Sequence, residues 1–151
     1  MIIGLTGNFR KSRFYEIVNS IFPLIKSSGH SCLISSDYLA DKDMHKMKVN
    51  IETLGFNELV DRSDIILTIG GDGTLLSTAR RMEVNIKPIL GIHIGGLGFL
   101  AESTRQTMQQ AMDYISNQDY SIEDRMMLSI HVNTSNGKSD EYHALNDIVV
   151  D

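Results

Sequence analysis

Apolar runs of strand length alternate with amphipathic segments of helical period along most of the chain. The runs are rich in β-favouring residues and lie at residues 2–5, 31–35, 65–69 and 89–92. Phe14, Ile17, Val18 and Ile21 recur at the spacing of one helix face, and Pro23 is expected to kink that helix or to end it early. This alternation predicts an α/β fold with a Rossmann-like parallel sheet.

Segment 37–55 shows no firm period, so we expect a mobile connection that contains some helix. Its polar residues Asp37, Asp41, Asp43 and His45 could in principle bind a metal ion. Their spacing matches no defined metal site, and we expect solvated side chains instead.

The period changes from helical to alternating in the last part of the chain. Ser103 and Gln106 match a capping box, which predicts a helix directly after them. Over residues 128–133, apolar and polar residues alternate, and Asn136-Gly137 is a strong hairpin signal. We expect the returning strand at residues 142–150.

The change of period predicts two domains. Residues 1–122 are expected to form an α/β nucleotide-binding domain, and residues 123–151 the start of a β-rich domain. A lone hairpin is marginally stable in water, so we expect this one to pack on the first domain or to belong to a larger sheet. The second domain is therefore expected to be incomplete in these residues.

Composition and charge narrow the class of protein. The 151 residues are 42% hydrophobic and 22% charged, as in ordinary globular proteins, and the net charge of −5 favours neither nucleic acid nor an anionic membrane as a partner. No apolar run has the length of a membrane span, and the first residues lack the basic start of a signal peptide, so we expect a cytoplasmic protein. The single cysteine, Cys32, lies in a strand-like run and is expected to be buried and inert.

One apolar run ends at three glycines placed around a carboxylate, in the sequence Gly70-Gly71-Asp72-Gly73-Thr74. Apolar residues recur at helical spacing after it, which predicts a strand, a tight turn and a helix. Glycines leave backbone N–H groups accessible, so an anion can bind at the helix N-terminus. A carboxylate repels phosphate, which suggests that Asp72 accepts a proton or holds a metal ion that bridges phosphates. The alternative is that Asp72 only caps the helix.

Two other predicted strand ends carry residues of chemical interest. Arg10, Lys11 and Arg13 follow the first run and either contact a phosphate or are simply solvated. The fourth run ends in a second glycine cluster, where Phe99 could stack on an aromatic base or be buried, and His93 could contact a ligand or cap the backbone. Neighbouring strand ends of a parallel sheet line one crevice, so we expect the two glycine clusters to lie in one site.

Four motifs follow one another along the chain. They are Gly70-Gly71-Asp72-Gly73-Thr74-Leu75-Leu76 with Ala79-Arg80; Leu90-Gly91-Ile92 with Gly95 and Leu97-Gly98-Phe99-Leu100; Asp124-Arg125 before Met127-Leu128; and Ala144-Leu145-Asn146-Asp147. In this order they resemble the NAD kinases, also called inorganic polyphosphate/ATP-NAD kinases. Each motif alone is weakly specific, but four in register are a strong signal. Diacylglycerol and sphingosine kinases and phosphofructokinases share the first motif but do not resemble the second and the fourth.

The resemblance implies that the terminal phosphoryl group of ATP or polyphosphate is transferred to the 2′-hydroxyl of the adenosine ribose of NAD, giving NADP. Mg²⁺ or another divalent cation would accompany the donor, and no protein side chain is assigned as a metal ligand. Asp72 would be the catalytic base beside the ribose. The residues that the resemblance places around the nucleotides are Gly71, Asp72, Gly73, Thr74, Leu97, Phe99, Asn146 and Asp147. The partners implied are small-molecule nucleotides, and a homo-oligomer is expected.

Three departures from the family pattern leave alternatives open. Asp147 stands where glutamate is usual, and His93 stands where asparagine is usual. The Gly-Ser-Thr-Ala-Tyr-like segment that completes the NAD site in the family is not among these residues. The alternatives are an inactive or nucleotide-binding fragment of such a kinase, or a lipid or sugar kinase that shares only the glycine turn.

Overall fold

Eight strands and four α-helices are defined in the computed structural model, which describes residues 1–82, 85–95, 100, 103–134, 136–145 and 148. The strands are β1 (Ile2–Gly7), β2 (Ser31–Ser35), β3 (Glu52–Leu54), β4 (Ile65–Gly70), β5 (Ile89–His93), β6 (Ser103–Thr104), β7 (Leu128–Asn133) and β8 (Ser139–Ala144). The helices are α1 (Ser12–Ser27), α2 (Phe56–Arg62), α3 (Asp72–Met82) and α4 (Met108–Asn117), and a short 3₁₀ helix covers Asp41–Lys46.

Six of these strands form one parallel sheet in the order β3-β2-β1-β4-β5-β6. In β1, Ile3 lies opposite Cys32 of β2 on one side and opposite Ile65 of β4 on the other. All four strands expected from the apolar runs are present in this sheet, and the predicted α/β class is confirmed.

The side chains of β4 alternate between two hydrophobic clusters on the two faces of the sheet. Ile65, Leu67 and Ile69 pack in the cluster that contains the buried residues of α1 and α4. Ile66 packs in the cluster formed with α2 and with Met82 of α3. Because helices cover both faces, all six positions of β4 are buried, which explains why its apolar run is continuous.

Helix α1 continues through Pro23 to Ser27, so the expectation that Pro23 ends it early is wrong. Ile21 and Ile25, on either side of the proline, are fully buried against the sheet. Burial of these two side chains holds the last turn in place although the proline has no N–H group to donate.

The pattern of residues 37–55 predicts no strand, but β3 lies within this segment and pairs with β2 at the edge of the sheet. The strand has only three residues, and Glu52 and Thr53 are exposed. A strand this short, with an exposed face, shows no apolar alternation. The sequence pattern therefore did not predict it.

The predicted capping box at Ser103 and Gln106 is also wrong. Ser103 belongs to β6, and α4 begins at Met108 after Thr107, whose side chain makes no capping hydrogen bond. Instead, the hydroxyl groups of Ser103 and Thr107 lie within hydrogen-bond distance, 3.1 Å apart. Ser103 pairs with Ile92 of β5, so it lies in the sheet and does not cap α4.

Strands β7 and β8 form a separate antiparallel hairpin, in which Ile130 lies opposite Tyr142. The turn contains Gly137 with a φ of +81°, as the Asn-Gly signal predicts. The returning strand occupies Ser139–Ala144. The expected range of 142–150 is therefore wrong over the residues that the structure describes. Its first residues, Ser139, Asp140 and Glu141, are polar and exposed, so they carry no strand signal. The domain boundary at residue 122 stays a prediction.

Among the described residues, no helix combines the length and the apolar character that crossing a membrane requires.

Candidate active site

The candidate site lies where three adjacent strands, β1, β4 and β5, reach their carboxyl ends. After β1 the chain builds the sheet outward through β2 and β3, and it then returns to the other side of β1 for β4 and β5. In open α/β sheets, this reversal leaves a crevice beyond the strand ends in which ligands bind. β1 and β4 lie very close together at this edge, because a Cβ built on Gly7 would lie 2.8 Å from the carbonyl carbon of Ile69.

The glycine turn links β4 directly to α3. The N–H groups of Thr74 and Leu75 donate to the carbonyl of Gly71 over 2.9 and 3.2 Å. Gly71 therefore occupies the position that caps the helix, and Asp72 is its first residue. This corrects the alternative in which Asp72 is the cap.

Two glycines of the turn have opposite surroundings. A Cβ built on Gly70 would lie 2.5 Å from Cβ of Thr74, whereas one built on Gly73 would meet no atom within 4 Å. Glycine at position 70 is thus required by the fold. The open side of Gly73 is free for a ligand.

The Asp72 carboxylate is half-buried at the first turn of α3. Its Oδ1 accepts the backbone N–H of Leu100 over 3.2 Å. This bond ties the first glycine motif to the last residue of the second one. A negative charge at a helix N-terminus is also favoured by the helix dipole. The carboxylate is therefore held in place by the backbone around it.

His93 lies at the end of β5 and faces the glycine turn. Its Nδ1 accepts the N–H of Gly95 over 3.1 Å, and this hydrogen bond assigns the proton of the neutral ring to Nε2. A Cβ built on Gly71 would lie 3.8 Å from Nε2, so the ring lies beside the turn and leaves space there for no more than a methyl group. His93 thus presents an N–H donor next to the turn.

A cleft of about 400 Å³ opens between the loop after β1 and the loop after β5. It is lined by Asn8, Lys11, Ser12, Arg13, Gly71, His93, Ile94 and Gly95. Arg13 closes one wall, because its guanidinium donates to the carbonyl of Ile94 over 3.2 Å. Of the basic cluster expected from the sequence, Lys11 and Arg13 therefore lie at the cleft.

A match to a family model decides which family the chain belongs to. The family model described as the ATP-NAD kinase N-terminal domain matches residues 3–120. The chain belongs to the NAD kinase family.

Relatives in this family match the chain over nearly its whole length. An NAD kinase of Clostridium kluyveri is 35% identical over 98% of this chain, and one of Caldanaerobacter subterraneus subsp. tengcongensis is 31% identical over 98%. The chain covers 48% and 50% of these relatives, so it spans about half their length. The crystal structure of a yeast NADH kinase in complex with NADH has the same fold, with a TM-score of 0.73 at 19% identity, over 97% of this chain and 47% of that one.

The structure of this NAD kinase family member brings together only part of the predicted site. Gly71, Asp72, Gly73 and Thr74 lie in one turn, as their sequence requires. The other predicted site residues, Leu97, Phe99, Asn146 and Asp147, lie outside the described residues. Strand β8, which ends shortly before Asn146, approaches α3 to within 8 Å between α-carbons.

Asn8, Ser12 and Ile94 line the cleft but were not predicted from the sequence as site residues. Asn8 and Ser12 lie in the loop after β1 and at the start of α1, respectively. The signal that could have found Asn8 is its position directly after a buried strand, at the ligand edge of the sheet.

Asp37, which was considered as a metal ligand and expected to be solvated, has structural partners instead. It accepts the N–H of Phe56 over 3.0 Å and pairs with Arg81. Within the described ranges, no group of three or more His, Cys, Asp and Glu side chains could hold a metal ion.

Proposed function

We propose that the protein transfers the terminal phosphoryl group of ATP, or of inorganic polyphosphate, to the 2′-hydroxyl of the adenosine ribose of NAD. The product is NADP. The observation that carries this proposal is the Asp72 carboxylate, held by the N–H of Leu100 at a glycine turn on the ligand edge of the sheet. The activity named for its relatives supports the choice of NAD as the acceptor.

In the proposed reaction, the ribose 2′-oxygen attacks the terminal phosphorus of the donor. The new bond joins phosphorus to the 2′-oxygen, and the bond to the bridging oxygen breaks, so that ADP or shortened polyphosphate leaves with the bonding electrons. The hydroxyl proton passes to the Asp72 carboxylate. Phosphoryl transfer depends mainly on positioning and charge stabilisation. Removal of the proton by a general base contributes roughly 10²–10⁴-fold to the rate.

The residues present fit a divalent cation that arrives with the donor. The described residues offer no cluster of three or more acidic, His or Cys ligands, so they do not build a complete protein cage. Mg²⁺ is commonly held by substrate phosphates together with one or two carboxylates. The donor phosphates would therefore supply most of its ligands, and no side chain of this chain is assigned to it, because Asp72 is the proposed base. When bound, the cation would neutralise charge on the phosphates.

The remaining assignments complete the proposal. Gly71, Gly73 and Thr74 would approach the nucleotide, Leu97 and Phe99 would border the adenine, and Asn146 with Asp147 would hold NAD. The approach of β8 to α3 supports the last pair, since β8 leads into it. Residues 1–122 would form the nucleotide-binding domain and residues 123–151 would begin the β-rich one. We further propose a cytoplasmic homo-oligomer whose partners are small nucleotides and not nucleic acid.

The test is an assay of the protein expressed from its complete coding sequence. NAD, Mg²⁺ and either ATP or polyphosphate are supplied, and NADP is detected by its reduction with an NADP-specific glucose-6-phosphate dehydrogenase. We expect NADP to form and chelation of Mg²⁺ with EDTA to stop it. Labelled lipid or sugar phosphate without NADP would overturn the proposal in favour of a lipid or sugar kinase. NAD binding without turnover would overturn it in favour of a nucleotide-binding module.

A further inference from the structure

We propose that the cleft between the loop after β1 and the loop after β5 binds the polyphosphate chain of the phosphoryl donor. The identity of this occupant rests on the proposed function, to which the cleft adds a separate site for the donor. Its principal charged contact is Lys11, and its hydrogen-bond donors include His93 and Asn8.

The charges at the cleft select for an anion. Lys11 and Arg13 line it, and no lining residue among those described is acidic. Arg13 is engaged with the carbonyl of Ile94, so it serves mainly to join the two loops. Lys11 is exposed and forms no ion pair with any residue that the structure describes. Its ammonium group is therefore available to a ligand, in a protein whose net charge is −5.

The polar groups around Lys11 are donors rather than acceptors. The side-chain oxygen of Asn8 accepts the N–H of Arg10 over 3.2 Å, which leaves the amide nitrogen of Asn8 to donate. His93 presents Nε2–H, because its Nδ1 accepts from Gly95. The N-terminus of helix α1 adds positive potential at the cleft, because its first turn carries no acidic residue and no side chain caps it. A chain of phosphate oxygens can accept from all these groups.

The glycine turn keeps the Asp72 carboxylate apart from the negatively charged phosphates of the donor. Gly71 lines the cleft, while the next residue, Asp72, directs its carboxylate to the N–H of Leu100 and is not part of the lining. A polyphosphate chain in the cleft would thus avoid the carboxylate along most of its length. Only its end at Gly71 would come next to the proposed base. The volume of about 400 Å³ lies within the range of small-molecule sites.

Binding of inorganic tripolyphosphate, measured by isothermal titration calorimetry on the whole protein, tests this site without any turnover. The variants are Lys11→Gln and Lys11→Glu, and the control is Lys26→Gln, which makes the same charge change at the other end of α1. Lys11 makes no side-chain capping bond, so its replacement is not expected to unfold the helix. Melting temperatures of all variants verify this.

We expect Lys11→Gln to weaken tripolyphosphate binding about ten- to a hundredfold, as the loss of one charge-assisted hydrogen bond predicts. Lys11→Glu should weaken it further, and the control should match the unmodified protein. The KM for ATP should rise by a similar factor while the KM for NAD stays unchanged. Lys11-dependent binding of ATP and of tripolyphosphate would each support the site, and tighter binding of ATP would indicate a nucleotide donor.

Failure of the site and failure of the proposed function give different results. If NADP forms but Lys11→Gln changes neither tripolyphosphate binding nor the KM for ATP, the cleft is not the donor site. If tripolyphosphate binds through Lys11 but no NADP forms, the anion site stands and the kinase assignment fails.

Discussion

The two glycines of the turn, Gly70 and Gly73, should respond in opposite ways to replacement by alanine. At Gly70, the added methyl group would lie 2.5 Å from Cβ of Thr74, which is far inside van der Waals contact. Thr74 is β-branched and sits in the first turn of α3, so it has little freedom to move away. Overpacking of this kind costs about 1–3 kcal/mol.

At Gly73, the methyl group would meet no atom within 4 Å. Alanine is favoured over glycine within a helix by about 0.5–1 kcal/mol. Position 73 lies in the first turn of α3, where the lower value applies. Gly73→Ala should therefore raise the melting temperature by about 1–2 °C, and Gly70→Ala should lower it by several degrees. Both changes are measured by thermal unfolding followed by circular dichroism.

The same methyl group at Gly73 would project into the side of the turn where we place the nucleotide. Gly73→Ala should therefore raise the KM for NAD or for ATP while the protein becomes no less stable. A loss of stability similar to that of Gly70→Ala would show that the geometry of the turn is wrong. Unchanged kinetics with unchanged stability would refute the placement of the nucleotide over Gly73.

Two further predictions concern stability. Burial raises the pKa of the Cys32 thiol to about 12, from the ordinary value of 9.0. The thiol should therefore resist alkylation at pH 8 until the protein unfolds. Because the unfolded thiol ionises first, Cys32 should reduce stability as the pH rises from 9 towards 12, by up to about 1.4 kcal/mol per pH unit, and Cys32→Ala should abolish this loss in urea titrations. Arg81 lies over the ring of Phe56 at 3.9 Å and pairs with Asp37, so Arg81→Ala should cost about 1–2 kcal/mol in urea unfolding. The exposed neighbour Arg80, changed to alanine as a control, should cost less than about 0.5 kcal/mol, and equal losses would contradict the role of Arg81.

The elements of the fold that the sequence predicted are those with a continuous or periodic apolar pattern. Strand β4 is buried on both faces, and helix α1 presents one buried face, so each leaves a clear signal. Strand β3 and the start of α4 were missed for the opposite reason. Strand β3 is placed by its pairing with β2, and α4 starts late because Ser103 and Thr104 pair with β5 as strand β6; such tertiary contacts leave no periodic signal in a short segment.

The glycine turn and a crevice at the strand ends could be predicted, but the set of side chains that lines the cleft could not. The spacing of Gly70, Asp72 and Gly73 reflects local backbone requirements, which a sequence displays directly. The cleft requires β1 to lie beside β4, although the paired residues Ile3 and Ile65 are 62 positions apart in the sequence. The sequence offered Lys11 and His93 as separate possibilities. Only the order of the strands brings them to one place.

The most direct test of the account is the effect of Asp72→Asn on NADP formation in the whole protein. Asparagine has nearly the same shape, and its side-chain oxygen can still accept the N–H of Leu100, so the fold should be retained, and the melting temperature should fall only slightly through the loss of the charge at the helix N-terminus. It cannot take up the hydroxyl proton. We expect kcat to fall about 10²–10⁴-fold, with the KM for NAD changed only a few-fold. A kcat close to that of the unmodified protein would contradict the assignment of Asp72 as the base.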